Sequence, residues 1–197
     1  LGGRGLICDG TLHNGESPVQ NMDGVTFHDA KLLDIWHDAP ALKSDGTPFV
    51  FDDGDGLGLR WDAFNNRMSG VYGGNVQGLF FDGVMFDVCG YHPDYDHNQS
   101  ADLPHPPSMF SHGAYISAGC RDVMARETIF SRGASKGFDL RPGGYAIDCL
   151  MIDNEIPAPS LGGNYNKAGA VGEYTLFLGN VVTVAGHKRI AGADNYN

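Results

Sequence analysis

The chain has 197 residues, of which 42% are hydrophobic and 19% are charged, and this size suits a single domain spanning residues 1–197. With 13 Lys and Arg against 24 Asp and Glu, the formal net charge of −11 disfavours nucleic acid and anionic membranes as partners. No apolar run approaches the roughly 18 residues of a membrane-spanning helix, so we expect no membrane insertion. The start at Leu1 rather than Met is typical of a processed or partial chain.

Glycine is the strongest compositional signal, because 29 of the 197 residues are glycine, about twice the roughly 7% of an average protein. Gly, Pro, Asn or Asp interrupts the chain every few residues, and long stripes with a helical period are absent. The sequence therefore predicts an all-β protein built from short strands. The predicted strands are 25–27, 31–36, 57–61, 78–81, 84–89, 114–117, 128–131, 138–141, 146–152, 174–178 and 181–184.

The four cysteines are too few for a disulfide scaffold and show no C-x-x-C spacing. Three of them, Cys89, Cys120 and Cys149, lie in or beside apolar runs, and we expect them to be buried thiols. Free thiols are uncommon in an oxidising compartment unless they are buried, so burial matters for the cellular location.

Two strand segments recur along the chain together. Residues 111–117, SHGAYIS, align with residues 135–141, SKGFDLR, and the two copies differ by 24 in residue number. The strands that follow them, 127–130 and 148–151, differ by 21 in residue number. Stacked repeats that share one buried apolar face are the organisation of a solenoid, so the sequence predicts repeats of about 21 to 24 residues.

An earlier similarity links residues 29–35 with residues 82–88 at an offset of 53, which we interpret as about two repeats plus a loop. On this interpretation the same repeat fits the whole chain. A β-sandwich with a chance partial repeat is the alternative interpretation of the same pattern.

Alternation along the two aligned strands predicts which side chains face the core. The apolar residues are expected to point inward: Ala114, Ile116, Phe138 and Leu140. The alternate, mostly polar residues are expected to point outward: Tyr115, Ser117, Asp139 and Arg141.

The segment FSHGAYIS at 110–117, the R-x-x-I-x-x-R pattern that begins at Arg126, and the ending at 152–154 resemble the pectate-lyase-like superfamily. The resemblance is clearest over residues 105–155. It implies a right-handed parallel β-helix with long loop insertions. The superfamily includes polysaccharide lyases, uronan epimerases, glycoside hydrolases and phage tailspikes.

The resemblance also sets expectations about partners and location. It implies a polysaccharide partner, an extracellular, secreted or virion-surface location, and a monomer or a homotrimer. It implies no definite cofactor and leaves a requirement for Ca²⁺ open. The D-P-H-E signature of alginate epimerases and the acidic calcium-site pattern of pectate lyases are both absent, so neither activity carries over.

In a β-helix, the outward face of one parallel sheet makes a long groove walled by loops, and an extended polymer fits such a groove. The largest insertion, residues 90–110, leads directly into Ser111 and is rich in His, Asp and Tyr. The predicted substrate-binding residues are His92, Tyr95 and His105 from this insertion, together with Arg132.

The predicted catalytic residues are His112 and Tyr115 and, one repeat later, Lys136, Asp139 and Arg141. β-Elimination from a uronic acid needs a neutralised carboxylate, a base for the C5 proton and an acid for the leaving oxygen. We predict that Arg141 or Lys136 neutralises the carboxylate, that His112 is the base and that Tyr115 is the acid. Each residue also has a structural interpretation, as a turn histidine, a surface aromatic or a paired surface charge.

Hydrolysis is the second predicted reaction, and it needs two carboxyl groups about 5 to 9.5 Å apart. Asp139 is the outward candidate, with Asp148, Asp153 or Glu173 as its partner.

Two segments have some character of a metal site. The insertion carries four candidate ligands without a known ligand spacing: His92, Asp94, Asp96 and His97. The run at 52–56, DDGDG, lacks the later Glu of a calcium-binding EF-hand loop and is better interpreted as a surface turn.

The leading hypothesis is therefore a polysaccharide-degrading enzyme that cleaves an anionic, uronic-acid glycan by elimination. The rival hypothesis is a noncatalytic carbohydrate-binding or structural β-helix, such as an adhesin or a component of a phage tailspike or tail fibre.

Overall fold

The computed structural model describes residues 6–9, 22–35, 50–51, 60–61, 69–91, 111–156, 159–162 and 175–183. Every regular element in these ranges is a β-strand. The strands are β1 (Leu6–Asp9), β2 (Met22–His28), β3 (Lys31–Ile35), β4 (Val50–Phe51), β5 (Arg60–Trp61), β6 (Val71–Gly74), β7 (Val76–Asp82), β8 (Met85–Cys89), β9 (Ala114–Ile116), β10 (Arg121–Arg126), β11 (Ile129–Ser131), β12 (Phe138–Leu140), β13 (Gly144–Ile147), β14 (Leu150–Ile152), β15 (Ser160–Leu161), β16 (Thr175–Leu178) and β17 (Val181–Val182). The described part of the chain contains no helix that could cross a membrane.

Fifteen of the strands form three parallel sheets of five strands each. Sheet A has the order β1-β6-β9-β12-β15, sheet B the order β2-β7-β10-β13-β16, and sheet C the order β3-β8-β11-β14-β17. The chain therefore visits sheets A, B and C in the same order five times, and we call each such passage a turn. The remaining two strands, β4 and β5, form an antiparallel pair. The all-β prediction is confirmed, and the parallel sheets are compatible with a β-helix.

The strand registers confirm the two repeats predicted at 111–152. In sheet A, Asp139 lies opposite Tyr115, as the alignment of the two SxG segments requires. In sheet C, Met151 lies opposite Phe130, which is the pairing predicted for the strands that follow. Side chains at equivalent positions of these turns therefore form columns.

The predicted alignment of residues 29–35 with residues 82–88 was wrong by one residue. Sheet C places Lys31 opposite Met85, an offset of 54 rather than 53, and the two strands belong to adjacent turns rather than to turns two repeats apart. A shift of one residue would move every side chain of β3 to the other face, and the observed register instead puts Leu32 and Phe86 together in the core. A uniform repeat length does not hold along the chain, because long segments are inserted between some strands.

The predicted strand at 146–152 is two strands, β13 and β14, because Asp148 bends the chain with a φ of 52°. Similar left-handed residues occupy the same corner between sheets B and C in all five turns: Asp29, Gly83, Glu127, Asp148 and Gly179. At four of these corners the amide donates to a carbonyl of the next turn, as Glu127 does to Ile147 over 3.0 Å. Each corner is thus fixed by its neighbour in the stack.

The core lies between the three sheets and is built from aromatic columns. The rings of Phe86, Phe130 and Phe138 stack in series, with centroid separations of 5.0 and 4.9 Å. The predicted inward residues are confirmed, since each is fully buried: Ala114, Ile116, Phe138 and Leu140. Burial of this aromatic and aliphatic surface is the main stabilising contribution of the stack.

The prediction of buried thiols is confirmed for Cys89, Cys120 and Cys149, which are free and buried. Desolvation raises the pKa of the Cys89 thiol to about 12. Buried thiols that stay protonated are inert, so these cysteines act as small core residues.

The outward faces of the three sheets differ in character. Among the described side chains, the large exposed hydrophobic residues at outward positions lie on sheets B and C and none lies on sheet A: Leu33, Ile152, Leu176, Leu178 and Val181. Phe177 and Val182 are also exposed, but they lie opposite the core residues Ala146 and Met151 and belong to the last turn. Sheet A instead carries aromatic and polar residues at its outward positions, including Tyr115 and Arg141.

Replacing Glu127 by Gly is expected to raise the free energy of unfolding by about 1 kcal/mol, because glycine adopts a positive φ without a Cβ penalty. Glu127 is exposed and has a φ of 48°, and Gly83 already occupies the same corner one turn earlier. Glu127→Ala is the matched control, since it removes the same charge but keeps a Cβ. Chemical denaturation of both variants checks this, and an equal effect of Gly and Ala would contradict it.

Candidate functional site

Three glycines form a column at the positions where the chain enters sheet A in turns two, three and four. A Cβ on Gly70 would lie 2.6 Å from the carbonyl oxygen of Gly113, and a Cβ on Gly113 would lie 2.5 Å from that of Gly137. No other residue fits such an approach between backbones. Because the glycines stack, the residues just before Gly113 and Gly137, His112 and Lys136, also fall into one column.

The middle position of sheet A forms a second column, in which Tyr72, Tyr115, Asp139 and Ser160 lie opposite one another in successive turns. The rings of Tyr72 and Tyr115 are stacked, with centroids 5.6 Å apart and an angle of 7° between their planes. From the following turn, the guanidinium carbon of Arg141 lies 5.0 Å from the Tyr115 ring centre, which is a cation–π geometry. Tyr115 is thus contacted by side chains from both neighbouring turns.

His112 packs beside the same tyrosine. Its ring lies 5.4 Å from the Tyr115 ring with an interplanar angle of 25°. Its backbone amide donates a hydrogen bond to Ser69 Oγ over 3.2 Å. His112, which precedes β9, is therefore fixed both by its ring contact and by its backbone. The structure therefore brings together the five predicted catalytic residues: His112, Tyr115, Lys136, Asp139 and Arg141.

Asp139 stands at an outward position, as predicted, yet its residue is only 2% exposed. An outward position on the strand therefore does not expose this side chain to solvent. Arg141 Nε lies 3.3 Å from Asp139 Oδ2, and His112 Nε2 lies 3.7 Å from the same oxygen. A carboxylate removed from water needs such a partner, because an unpaired buried charge is strongly unfavourable.

The imidazole of His112 is 5% exposed, and its Nδ1 atom has no hydrogen-bond partner among the residues that the structure describes. Desolvation is the main cause that lowers the pKa of His112 to about 4; the negative charge of Asp139 opposes this shift, and the positive charges of Lys136 and Arg141 add to it. His112 is therefore neutral at pH 7. Its approach to Asp139 is a contact between a neutral ring and a carboxylate rather than an ion pair.

Lys136 occupies the position equivalent to His112 one turn later. Its side chain is partly exposed, and its ammonium donates a hydrogen bond to Ser160 Oγ on β15. The two residues are neighbours in the stack, since the amide of Gly113 donates to the carbonyl of Lys136 over 3.4 Å, and the positive charge of Lys136 helps to lower the pKa of His112.

Arg132, predicted to bind substrate, binds both carboxylate oxygens of Asp87 on the neighbouring strand of sheet C. The hydrogen bonds from Arg132 and Ser131 hold the pKa of Asp87 below its ordinary value. The guanidinium of Arg132 is thus already paired with a carboxylate of the protein. The other predicted substrate-binding residues, His92, Tyr95 and His105, lie outside the described residues.

Two of the three carboxylates suggested as partners for hydrolysis do not share a sheet with Asp139. Asp148 lies at the corner between sheets B and C, and Asp153 follows β14 of sheet C, while Glu173 lies outside the described residues. Within the described ranges, no group of three His, Cys, Asp or Glu residues is arranged to hold a metal ion. The suggested ligands at 92–97 and the run at 52–56 fall outside those ranges.

Sequence reasoning missed two neighbours of the site, Tyr72 and Ser160. Tyr72 lies one turn before Tyr115 in the stack but far from it along the chain, so the insertion at 92–110 hides the repeat that relates them. The glycines at 70 and 113 are the available signal, because each precedes a short strand in the same way.

Comparison with known proteins gives no assignment: no family model, no curated protein and no solved structure matches the chain. The function must therefore be argued from the geometry of sheet A.

The low pKa of His112 predicts a loss of stability in acid. Below the ordinary histidine pKa of about 6.5, the unfolded chain binds a proton at His112 that the folded chain does not, so the free energy of unfolding falls as the pH drops toward 4. Above about pH 6.5, His112 is neutral in both the folded and the unfolded chain, so this loss of stability is absent. The expected loss between pH 7 and pH 4.5 is about 2 kcal/mol.

Denaturation of the wild type and of His112→Gln across this pH range checks the expectation, because other titrating groups cancel in the difference. The stability advantage of the wild type should shrink by about 2 kcal/mol between pH 7 and pH 4.5. A difference that stays constant with pH would contradict the buried, neutral state of His112.

Proposed function

We propose that the chain is a right-handed parallel β-helix that binds an extended uronic-acid polysaccharide on the outward face of sheet A and cleaves it by β-elimination. The observation that carries this proposal is the gathering of Tyr115 on β9 with Lys136 and Arg141, which flank the neighbouring strand β12. An extracellular or virion-surface location goes with such a substrate.

The fold part of the proposal is supported by the order in which the chain visits its sheets. Five turns pass through sheets A, B and C in the same sequence, and every strand pair within these sheets is parallel. Connections between parallel strands of one sheet are right-handed in about 98% of cases. A stack of this kind presents each sheet as a long, regular face.

The chemical part is supported by the residue types on that face. Lys136 and Arg141 provide cations for a uronic acid carboxylate, whose neutralisation makes the C5 proton more acidic. Since Tyr72 and Arg141 contact the Tyr115 ring from the two neighbouring turns, the hydroxyl rather than a ring face is the group with which Tyr115 would act on a substrate. A phenol hydroxyl suits proton donation to the leaving oxygen.

His112 is the proposed base. Its low pKa keeps the imidazole unprotonated at neutral pH, so a lone pair is available at one nitrogen. The ring is buried in the structure, and the C5 proton reaches it only if the side chain becomes accessible on substrate binding.

The same burial favours a second candidate function, noncatalytic binding of a polysaccharide. Both His112 and Asp139 are almost inaccessible, while Tyr115 and Lys136 remain partly exposed. In this case the face provides contacts for a glycan, and the buried residues only support them. A tailspike, tail-fibre or adhesin component has this type of role.

The test is to mix the protein with polygalacturonate, alginate and hyaluronate, with and without Ca²⁺, and to follow the ultraviolet absorbance of unsaturated sugar ends. A rise with one polymer supports elimination. New reducing ends without this absorbance would contradict elimination and favour hydrolysis. Binding without either product would favour the noncatalytic function, and no binding to any polymer would remove the proposal.

Replacing Tyr115 by Phe is expected to reduce the rate of cleavage about 100-fold or more, because the proton donor is lost while the ring stack is retained. Affinity for the polymer should change less than about threefold, since most contacts remain. Tyr145→Phe is the matched control, because Tyr145 holds an outward position on sheet B and should leave the rate unchanged. Equal effects of the two variants would argue against a catalytic role for the Tyr115 hydroxyl.

A further inference from the structure

The cations of the described chain differ in whether an acidic side chain already neutralises them. Three arginines form ion pairs with strand aspartates: Arg126 with Asp82, Arg132 with Asp87, and Arg141 with Asp139. Arg121 donates to the backbone carbonyls of Ala118 and Cys120 at the entry to sheet B. The only remaining cation on sheet A in the described residues is Lys136.

The guanidinium of Arg141 makes two contacts within the protein. Its Nε lies 3.3 Å from the carboxylate of Asp139, which is almost fully buried and requires a positive partner. Its guanidinium also lies over the Tyr115 ring. A substrate carboxylate bound to Arg141 would have to compete with Asp139 for the same charge.

Among the described residues, Lys136 has no such competitor. Within the part of the chain that the structure describes, no carboxylate forms an ion pair with its ammonium, and its side-chain hydrogen bond goes to the neutral hydroxyl of Ser160. Because His112 is neutral and Asp139 is matched by Arg141, the cluster on sheet A retains one net positive charge, and this charge is that of Lys136.

The bond to Ser160 also fixes where that charge sits. It joins β15 to the residues that precede β12, so the ammonium is held at the outward edge of sheet A rather than free in solvent. A lysine held in one position loses less conformational freedom on binding an anion than a free surface lysine does. A compact ammonium binds a carboxylate as a point charge.

We propose that Lys136 is the residue that selects an anionic sugar, by binding the carboxylate of a uronic acid unit, and that Arg141 instead holds Asp139 and Tyr115 in place. This inference rests on the proposed function and resolves which of the two cations meets the substrate. It assigns the preference for uronic acids to a single side chain.

The test compares binding of polygalacturonate, alginate and hyaluronate with binding of the carboxyl-reduced form of each polymer, by titration calorimetry. The wild type should prefer the charged form of its polymer by roughly tenfold, as expected for one charge-assisted hydrogen bond. Lys136→Met keeps the aliphatic stem and removes the charge. It should bind both forms within about twofold of each other, with unchanged affinity for the reduced form.

The matched control is the double variant Asp139→Asn with Arg141→Gln. It removes one negative and one positive charge, leaves the net charge unchanged and leaves neither member of the Asp139–Arg141 ion pair without its partner. This variant should keep the roughly tenfold preference of the wild type, whatever its cleavage rate. Circular dichroism of both variants confirms that they are folded before titration.

The outcomes separate this inference from the function on which it rests. A preference that survives in Lys136→Met and disappears in the double variant would overturn the inference and assign selection to Arg141. A preference that survives in both variants would overturn it as well. If the wild type binds none of the polymers, the proposed function itself fails.

Discussion

Backbone hydrogen bonding between parallel strands of successive turns is the constraint on which the rest of the molecule depends. It holds neighbouring turns in a fixed register, so that side chains at equivalent positions stack in columns with a spacing of about 4.8 Å. The Phe86 and Phe130 rings form the core in this way, and Tyr72 and Tyr115 form the outward face of sheet A. The same constraint requires glycine where two backbones approach, as at Gly113.

The columns of sheet A also determine its electrostatics. Stacking covers Asp139 with side chains from its own turn and the preceding one, so a position that alternates outward is nearly inaccessible. Its charge is then matched by Arg141, and the adjacent His112 is kept neutral by desolvation. Within the described part of the chain, Lys136 beside this face forms no ion pair with a carboxylate.

Much of the fold was predictable from sequence because its signals are local. The repeat at 111–117 and 135–141 predicted the correct register, and alternation correctly placed Ile116 and Phe138 in the core. Features that depend on distant residues were not predictable. Tyr72 is separated from Tyr115 by an insertion, and the burial of Asp139 depends on side chains that meet only in the folded stack. A locally similar pattern at 29–35 suggested a register that core burial excludes.

The most direct test of the account is hydrogen–deuterium exchange of the full chain with and without the polymer that it binds best. The account predicts slower exchange in peptides covering 111–117 and 135–141, which form neighbouring strands of sheet A, and little change in those covering 121–126 and 144–147 of sheet B. Protection confined to sheet B or sheet C would contradict it, because the glycan would then lie on a face without Tyr115 and Lys136.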